Sequence, residues 1–296
     1  MDYLEFFDKL SINYSKNLLM KNLTSLSVGG ACKVYVKPKS VRELQQVIDC
    51  FNDYNIAYKI VGNGSNLLVS DKGYNGAIIS LKEFNKITLN ENVLTVGSGV
   101  TLQHLNAFCL KNGIGGFEPL VSIPATIGGA IVMNAGAFGN NISNNLISVN
   151  YFVKDRLYTR DKEKCGFAYR KSIFQNKKAV IISANFNARN CFKDIIFQNI
   201  VMYRNIRKQS QPSHKSCGSV FRNTNVAPAG LLIEKCGVKG FKIGGAEISK
   251  KHANFITVSK DCTANDVYNL IQYVKACVYD KFGVKLIEEV EYVGEF

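Results

Sequence analysis

The amino-acid sequence predicts an α+β fold with more than one domain. Helical patterns and short apolar strands follow one another irregularly, without the βαβ repeat of a doubly wound parallel sheet. Hydrophobic residues make up 46% and charged residues 20% of the 296 positions, enough for a buried core. This length corresponds to about two domains.

Helices are predicted from residues that satisfy their terminal backbone groups. Ser40 begins a capping box ahead of an amphipathic pattern. Thr101 can cap a helix that Gly113 ends, and Thr263 can cap a long final helix that Gly283 ends. Further helices are predicted within residues 1–22 and over about 193–208.

Strands are predicted where β-branched and aliphatic residues lie between turn formers. The ranges are 34–36, 58–61, 67–69, 77–81, 86–89, 93–97, 146–153, 179–187 and 286–293. The composition changes near 190–215, from Gly-rich to more basic. The predicted organisation is therefore a lead-in over 1–21, a domain over 22–190 and a second domain over 191–296 with a closing strand.

The net charge of +14 favours anionic partners. Nucleic acids and phosphorylated small molecules both fit this charge. The lysines are spread thinly, with no run of five, which argues against a dedicated nucleic-acid arm. The charge alone therefore leaves both classes of anionic partner open.

The cysteines and the N-terminal residues favour a cytoplasmic protein. Nine cysteines occur without any CxxC pair, so neither a disulfide scaffold nor a zinc site is predicted. The N-terminus lacks the shape of a signal peptide. Residues 119–153 carry no charge, but their glycines and asparagines exclude a membrane span. No metal site is predicted.

Two Gly-rich segments are candidate ligand loops. In residues 62–66, Gly-Asn-Gly-Ser-Asn, successive N–H groups can form an anion nest, although a simple hairpin turn fits equally well. Residues 122–139 contain two Gly-rich turns. A helix starting near residues 125–128 would direct free N–H groups at a diphosphate. A tightly packed buried segment is the alternative.

Three charged or polar residues are candidates for chemistry. Arg170 can grip a carboxylate or lie on the surface. Ser219 follows a glycine and can donate a proton or end a turn, since the Gly-x-Ser-x-Gly pattern of a nucleophile is missing. Glu289 can act as an acid or base or be solvated. Each signal is weak alone.

The order of these motifs is specific. Gly-Asn-Gly-Ser-Asn, Ile-Pro-x-Thr-Ile-Gly-Gly with Met-Asn-Ala-Gly, Tyr-Arg, Gly-Ser-Val-Phe-Arg-Asn, Lys-Gly, His-Ala-Asn-Phe and Leu-x-x-Glu-Val-x-x-x-Gly follow in sequence. This series resembles the UDP-N-acetylenolpyruvoylglucosamine reductase family over about residues 22–294. Residues 224–288 leave little room for the tyrosine-bearing insertion of the larger subclass, so the shorter subclass is expected.

The resemblance implies a fold and a reaction. Residues 22–190 would form the two-lobed FAD-binding domain of the vanillyl-alcohol-oxidase (PCMH) type, and residues 191–296 an α+β substrate-binding domain. FAD would bind without a covalent link, and NADPH would reduce it. The enzyme would then reduce the enolpyruvyl group of a UDP-sugar in peptidoglycan precursor synthesis. No nucleic acid, membrane or obligate protein partner is expected.

The resemblance also assigns roles to residues. Ser219 matches the proton donor to C2 of the enolpyruvyl group, and Arg170 and Glu289 match residues that stabilise the intermediate. Substrate contacts are expected from Asn223, Arg207, Lys208 and Lys239. Cofactor contacts are expected from Gly62, Asn63, Gly64, Ser65, Asn66, Ser122, Ile123, Thr126, Gly128, Gly129, Asn134 and Gly136. Local departures from the family pattern occur at Ala125, Lys171 and Thr224.

Two other functions remain open at this point. Another FAD oxidase of the same fold could act on a sugar or alcohol. Such enzymes often attach flavin through a histidine, and residues 62–66 and 119–139 contain none. A basic nucleic-acid-binding protein would have no use for the ordered Gly-rich loops.

Overall fold

The computed structural model describes residues 3–153, 155–176 and 179–296, so the first two residues of the predicted lead-in lie outside it. No helix in these ranges combines the length and apolar character that crossing a membrane requires. The α-helices are α1 (Tyr3–Lys9), α2 (Val41–Asp53), α3 (Leu102–Asn112), α4 (Ile127–Val132), α5 (Lys193–Ser210), α6 (Ala229–Lys235) and α7 (Ala264–Phe282).

Short strands are interspersed among these helices. They are β1 (Tyr14–Leu19), β2 (Ala31–Val36), β3 (Tyr58–Val61), β4 (Leu67–Val69), β5 (Tyr74–Ser80), β6 (Ile87–Asn90), β7 (Val93–Gly97), β8 (Ile114–Gly115), β9 (Gly136–Ala137), β10 (Asn140–Asn141), β11 (Leu146–Val153), β12 (Arg156–Asp161), β13 (Val180–Asn187), β14 (Arg189–Asn190), β15 (Lys242–Ile243), β16 (Ala246–Ile248), β17 (Ile256–Val258) and β18 (Glu291–Val293).

The predicted helix ends are confirmed. The hydroxyls of Ser40, Thr101 and Thr263 each accept a hydrogen bond from the backbone N–H three residues later, at 3.1 Å in all three cases. Gly113 and Gly283 follow α3 and α7 with φ of +66°, the left-handed conformation that glycine adopts readily. Local capping chemistry therefore determines where these helices begin and end.

The chain divides into two compact units. The first unit comprises the chain up to Ser15, Tyr35–Asn63 and Ala77–Arg207. Its main sheet is antiparallel, with strand order β12-β11-β13-β7-β6. Helix α4 packs against β13 and β7, and three of its apolar side chains are buried there: Ile127, Ala130 and Ile131. This packing fixes the Gly-rich segment around α4 on a rigid sheet.

The second unit comprises Lys16–Val34, Gly64–Gly76 and Lys208–Phe296. Helix α7 supplies its largest set of core side chains, which pack with residues of α6 and of the antiparallel sheet β15-β16-β17. Strand β18 pairs in parallel with β4, with Glu291 opposite Leu67. The end of the chain is thereby joined to the segment that follows the first Gly-rich loop.

The units differ from the continuous ranges 22–190 and 191–296 that the sequence suggests. The pairing of β4 with β18 explains part of this difference, since it incorporates residues 64–76 into the second unit. The predicted closing strand over 286–293 is shorter in the structure, where only Glu291–Val293 forms a ladder. Strand β12 and the short elements α6, β15, β16 and β17 were not predicted.

Candidate active site

The first Gly-rich segment begins where β3 ends. A Cβ atom on Gly62 would collide with Oγ1 of Thr126, so only glycine permits this close approach. Asn63 donates a hydrogen bond from Nδ2 to the carbonyl of Pro124 at 3.1 Å. Both contacts lie within the first unit. The structure therefore brings the start of the first predicted cofactor loop to the turn that precedes α4.

The start of α4 differs from the sequence prediction. The helix begins at Ile127 after Thr126, as expected. However, the N–H groups of Ile127 and Gly128 donate to backbone carbonyls of residues 98–100 at 2.8 and 2.9 Å. The N–H of Gly129 donates to Oγ1 of Thr126 at 3.4 Å. The prediction that the helix directs free N–H groups at a diphosphate is therefore wrong for these three residues, because the protein itself supplies their acceptors.

Buried polar atoms lie beside the Gly-rich segments. Within the described residues, Ser80 Oγ, Ser98 Oγ and Asn134 Oδ1 have no hydrogen-bond partner. Ser80 ends β5 opposite Val61, and Cβ of Ser98 lies 3.2 Å from where a Cβ on Gly128 would stand. Buried polar atoms of this kind are costly unless a ligand or water satisfies them. They favour a polar ligand at these loops.

Arg170 is joined to the second Gly-rich segment. Its guanidinium donates to the carbonyl of Gly136 at 3.3 Å. Nearby, Asn134 donates from Nδ2 to the carbonyl of Ala168 at 3.0 Å. Arg170 also has a left-handed backbone, with φ of +53°, which is costly for a residue with a side chain and is often found at functional sites. The segment 168–170 is thus held against residues 134–136.

Arg207 lies in the same unit as Arg170 and close enough to influence its charge. Burial lowers the pKa of its guanidinium, and the charge of Arg170 lowers that pKa further. Two cations that disfavour each other's charge make a favourable place for an anionic group. Lys208 is exposed and belongs to the second unit.

Ser219 and Glu289 are both neighbours of Val220 in the second unit. Ser219 precedes Val220, and the N–H of Glu289 donates to the carbonyl of Val220 at 2.7 Å. Ser219 itself forms an isolated bridge with Phe255. Both Ser219 and Glu289 are half-buried. The structure therefore brings together two of the three predicted catalytic residues.

Cys217, two residues before Ser219, is not poised for reaction. It is 3% exposed. Burial raises the pKa of its thiol to about 12, and the negative charge of Glu289 contributes to this rise. The thiol is therefore protonated at neutral pH and is a poor nucleophile.

The second half of the first Gly-rich segment lies in the other unit. Gly64 has φ of +61°, and a Cβ there would collide with the carbonyl of Leu23. Asn66 donates from Nδ2 to the carbonyl of Glu289 at 2.9 Å, and its own carbonyl accepts from Glu291 at 2.9 Å. The side chain of Asn66, predicted to contact cofactor, is thus engaged with the backbone of a predicted catalytic residue.

The residues predicted to bind the UDP group make specific local contacts. Oδ1 of Asn223 accepts a hydrogen bond from the N–H of Ala229 at 3.1 Å, at the start of α6. Nζ of Lys239 pairs with a carboxylate oxygen of Glu234 at 2.9 Å. Thr224, a departure from the family pattern, donates through Oγ1 to the carbonyl of Ala227 at 2.7 Å. The contacts of Asn223 and Thr224 order the loop before α6, and the Lys239–Glu234 pair lies at the other end of this helix.

Of the remaining predicted cofactor residues, Ser122, Ile123 and Gly136 lie in the first unit and Ser65 lies in the second. Ile123 donates its N–H to the carbonyl of Leu120 at 3.0 Å, and Ser122 is half-buried beside it. Gly136 pairs with Asn141 in the two-stranded β9–β10 sheet. Sequence reasoning missed Ser80 and Ser98. The glycines on both sides of Ser98, directly after a predicted strand, were the available signal.

Two family models match the chain. A model described as "FAD binding domain" matches residues 32–155, and one described as "UDP-N-acetylenolpyruvoylglucosamine reductase, C-terminal domain" matches residues 211–293. The first match includes both Gly-rich segments, residues 62–66 and 122–139. The second covers Ser219 and Glu289.

Relatives of full length are similar to the chain. The UDP-N-acetylenolpyruvoylglucosamine reductase of Prochlorococcus marinus (strain NATL2A) is 40% identical over 96% of this chain and 99% of the relative. The protein of the same name from Anoxybacillus flavithermus (strain DSM 21510 / WK1) is 38% identical over 94% of each chain.

Solved structures share the fold. The crystal structure of UDP-N-acetylenolpyruvylglucosamine reductase from Thermus caldophilus superposes with a TM-score of 0.83 and 30% identity, covering 96% of this chain and 100% of that one. A berberine bridge enzyme variant superposes with a TM-score of 0.51 and 16% identity, covering 65% of this chain and 44% of that one. This second likeness concerns the fold alone. Together with the FAD-binding match, these structures confirm the predicted fold class.

Proposed function

We propose a function on the premise that the chain belongs to the UDP-N-acetylenolpyruvoylglucosamine reductase family, as its full-length relatives establish. The predicted resemblance is confirmed, and the chain is an FAD-dependent oxidoreductase. We infer that it uses NADPH to reduce the enolpyruvyl group of UDP-N-acetylglucosamine enolpyruvate. The product would be UDP-N-acetylmuramate, a precursor of peptidoglycan.

The Gly-rich segments of the first unit fit FAD. The absence of a side chain at Gly62 lets the first Gly-rich segment approach Thr126, at the start of α4. Ser98 Oγ and Asn134 Oδ1 are buried polar atoms that need partners. We propose that Gly62, Asn63, Thr126 and Gly136 line the site with them, joined by the remaining predicted cofactor residues Gly64, Ser65, Asn66, Ser122, Ile123, Gly128, Gly129 and Asn134. These residues would hold FAD, which would supply hydride chemistry: a hydride accepted from NADPH would pass from flavin N5 to C3 of the enolpyruvyl group.

Arg170 suits the charge that the reaction creates. Hydride addition at C3 would place negative charge on C2 and on the adjoining carboxylate. Arg170 lies close enough to Arg207 to lower the pKa of that buried guanidinium, so the two cations together favour an anionic ligand. A fixed cation that stabilises the developing charge more than the ground state lowers the barrier.

Ser219 and Glu289 are proposed to complete the reaction at C2. Ser219 would donate its hydroxyl proton to C2. A serine hydroxyl is a weak acid, so its position relative to the substrate and to nearby charge decides its effectiveness. The backbone N–H of Glu289 donates to the carbonyl of Val220, the residue directly after Ser219, and Glu289 would stabilise the intermediate. This backbone contact beside Ser219 is the observation that carries the proposed mechanism.

The UDP group is proposed to meet Asn223, Arg207, Lys208 and Lys239. Lys239 is 29% exposed in its pair with Glu234, so its ammonium group can reach a phosphate without being fully desolvated. The overall charge of +14 also attracts both NADPH and a UDP-sugar. A cytoplasmic location is proposed as well, and nine cysteines without disulfides agree with it.

Half-reaction kinetics test the proposed roles. The Ser219→Ala variant should keep flavin reduction by NADPH within about twofold of the wild type, and should slow flavin reoxidation by the UDP-sugar by roughly 100-fold or more. Ser213→Ala, on the exposed part of the same loop, is the matched control and should leave both steps unchanged. Equal losses in both half-reactions of Ser219→Ala would mean that this residue holds the flavin instead.

A further inference from the structure

The segment that carries Ser219 is held between two other segments of the second unit. Isolated bridges join Ser219 to Phe255 and Phe221 to Glu288. The N–H of Val220 donates to the carbonyl of Asn254 at 2.9 Å. The segment is therefore placed by single contacts and has no extended strand pairing to hold it.

Asn254 makes the most complete set of these contacts. It is 4% exposed. Its Oδ1 accepts from the N–H of Phe221 at 2.9 Å, and its Nδ2 donates to the carbonyl of Phe221 at 2.8 Å. The side-chain amide thus imitates the backbone of a paired strand. With the bond from Val220, one residue fixes three backbone groups of the two residues that follow Ser219.

The backbone of Asn254 is itself fixed. Its N–H donates to Nδ1 of His252 at 3.2 Å, and burial lowers the pKa of that imidazole, which keeps Nδ1 available as an acceptor. The N–H of Phe255 donates to the carbonyl of His252 at 2.9 Å. The turn at residues 252–255 therefore presents the Asn254 amide in one orientation.

We propose that Asn254 is a positioning residue for Ser219 and, through the Val220 peptide, for Glu289. This inference rests on the proposed function. In the Val220 peptide, the peptide group that links Val220 to Phe221, the N–H of Phe221 donates to Oδ1 of Asn254 and the carbonyl of Val220 accepts from the N–H of Glu289. A shift of this peptide therefore displaces Glu289 and, through Val220, Ser219. Misplacement of reacting groups by about 1 Å costs on the order of 100-fold in rate.

Two substitutions of Asn254 test the positioning role, because they remove different hydrogen bonds between its side-chain amide and Phe221. Asn254→Ala removes both side-chain hydrogen bonds. Asn254→Asp has nearly the same size and keeps the acceptor for the N–H of Phe221 but loses the donor to its carbonyl. Asn106→Ala is a matched control, because Asn106 is 2% exposed and donates from Nδ2 to the carbonyl of Leu102 at 2.9 Å in α3.

Anaerobic stopped-flow measurements on the full-length, FAD-loaded protein test this proposal. NADPH should reduce the flavin of Asn254→Ala within about twofold of the wild-type rate. Reoxidation by the UDP-enolpyruvyl sugar should slow by roughly 10- to 100-fold, with little change in KM for the sugar and a larger solvent deuterium isotope effect. Asn254→Asp sets a carboxylate oxygen against the carbonyl of Phe221, so its sugar step should slow at least as much as that of Asn254→Ala. If Asn254→Ala does not fold, the Asp variant provides the same comparison.

The outcomes separate the two claims. Variants of Asn254 that slow both half-reactions equally, or neither, while the wild type reduces the sugar, would overturn the positioning role alone. A wild-type protein that accepts electrons from NADPH but never passes them to the sugar would overturn the proposed function and the inference with it. Asn106→Ala should retain both half-reactions. A selective loss in its sugar step would show that any buried asparagine produces the effect.

Discussion

The side-chain amide of Asn66 donates a hydrogen bond of 2.9 Å to the backbone carbonyl of Glu289. Asn66 lies in the Gly-rich motif that the sequence assigns to the cofactor, whereas Glu289 is assigned to the sugar chemistry. The carbonyl of Asn66 also accepts from Glu291, where β18 runs beside β4. The motif therefore supports the backbone of the glutamate directly.

Asn66→Ala should impair the sugar step more than cofactor retention. The lost hydrogen bond should lower the free energy of unfolding by about 1 kcal/mol, and the displaced Glu289 should slow flavin reoxidation by the sugar. Asn63→Ala is the control within the same motif, since Asn63 contacts Pro124. It should instead lower the ratio of flavin to protein. The same flavin loss in both variants would contradict this division of the motif.

Gly62→Ala should weaken both folding and flavin binding. The new Cβ would meet Oγ1 of Thr126, and overpacking of this kind costs about 1–3 kcal/mol. Melting temperature and the flavin absorbance ratio are the measurements. The double variant Gly62→Ala/Thr126→Ala should regain part of the flavin, because the colliding oxygen is removed. If Gly62→Ala alone retains its full flavin content and an unchanged melting temperature, the close approach of Gly62 to Thr126 would be refuted.

Cys217 should resist alkylation in the folded protein. Burial raises its thiol pKa to about 12, so at pH 8 only about one thiol in 10,000 is ionised. Because the pKa of the thiol is higher in the folded than in the unfolded protein, this group favours folding most below the unfolded pKa of about 8.5. Its contribution to the free energy of unfolding is lost as the pH rises towards 12. Mass spectrometry after iodoacetamide treatment should find Cys217 unmodified, and rapid labelling at pH 8 would contradict this.

Lys275 should stabilise the chain next to Glu289. Its Nζ contacts a carboxylate oxygen of Glu288 at 2.7 Å, with side chains 33% and 19% exposed. Tyr292 donates to the same oxygen at 3.4 Å. Burial raises the pKa of the Tyr292 hydroxyl, and the negative charge of Glu288 raises it further. Lys275→Met should lower the free energy of unfolding in urea by about 1–2 kcal/mol, after allowance for solvent screening.

A second ion pair serves as the control for Lys275. Lys164 and Asp161 lie 3.3 Å apart with side chains 71% and 62% exposed. Exposed pairs contribute little, so Lys164→Met should change the unfolding free energy by less than about 0.5 kcal/mol. Equal effects of the two substitutions would show that burial does not decide the strength of these pairs.

Local chemistry made much of the fold predictable. The caps at Ser40, Thr101 and Thr263 define helix starts through bonds that span three residues, and such patterns are visible in a sequence. The pairing of β4 with β18 is not visible, because it joins Leu67 to Glu291 and depends on the packed core. Strands of two or three residues, such as β15–β17, are too short for their periodicity to be recognised.

The site was predictable as a set of residues but not as a set of contacts. The motif order identified Arg170, Ser219 and Glu289. It did not indicate that Asn66 supports Glu289 or that Asn254 holds Phe221, since both bonds join segments distant in the chain. The sequence suggests that the N–H groups of Ile127 and Gly128 are free for a ligand. Their acceptors lie in the turn at residues 98–100, which is distant in the chain and therefore not visible in the local sequence.

The most direct test of the proposed function is an anaerobic spectral titration of the purified wild-type protein. The flavin absorbance should bleach on addition of NADPH and return on addition of the UDP-enolpyruvyl sugar. Mass spectrometry should then find one UDP-N-acetylmuramate for each NADPH consumed. A flavin that NADPH bleaches but the sugar leaves reduced would contradict the proposed reaction, and a protein that cannot take up FAD at all would contradict the cofactor assignment.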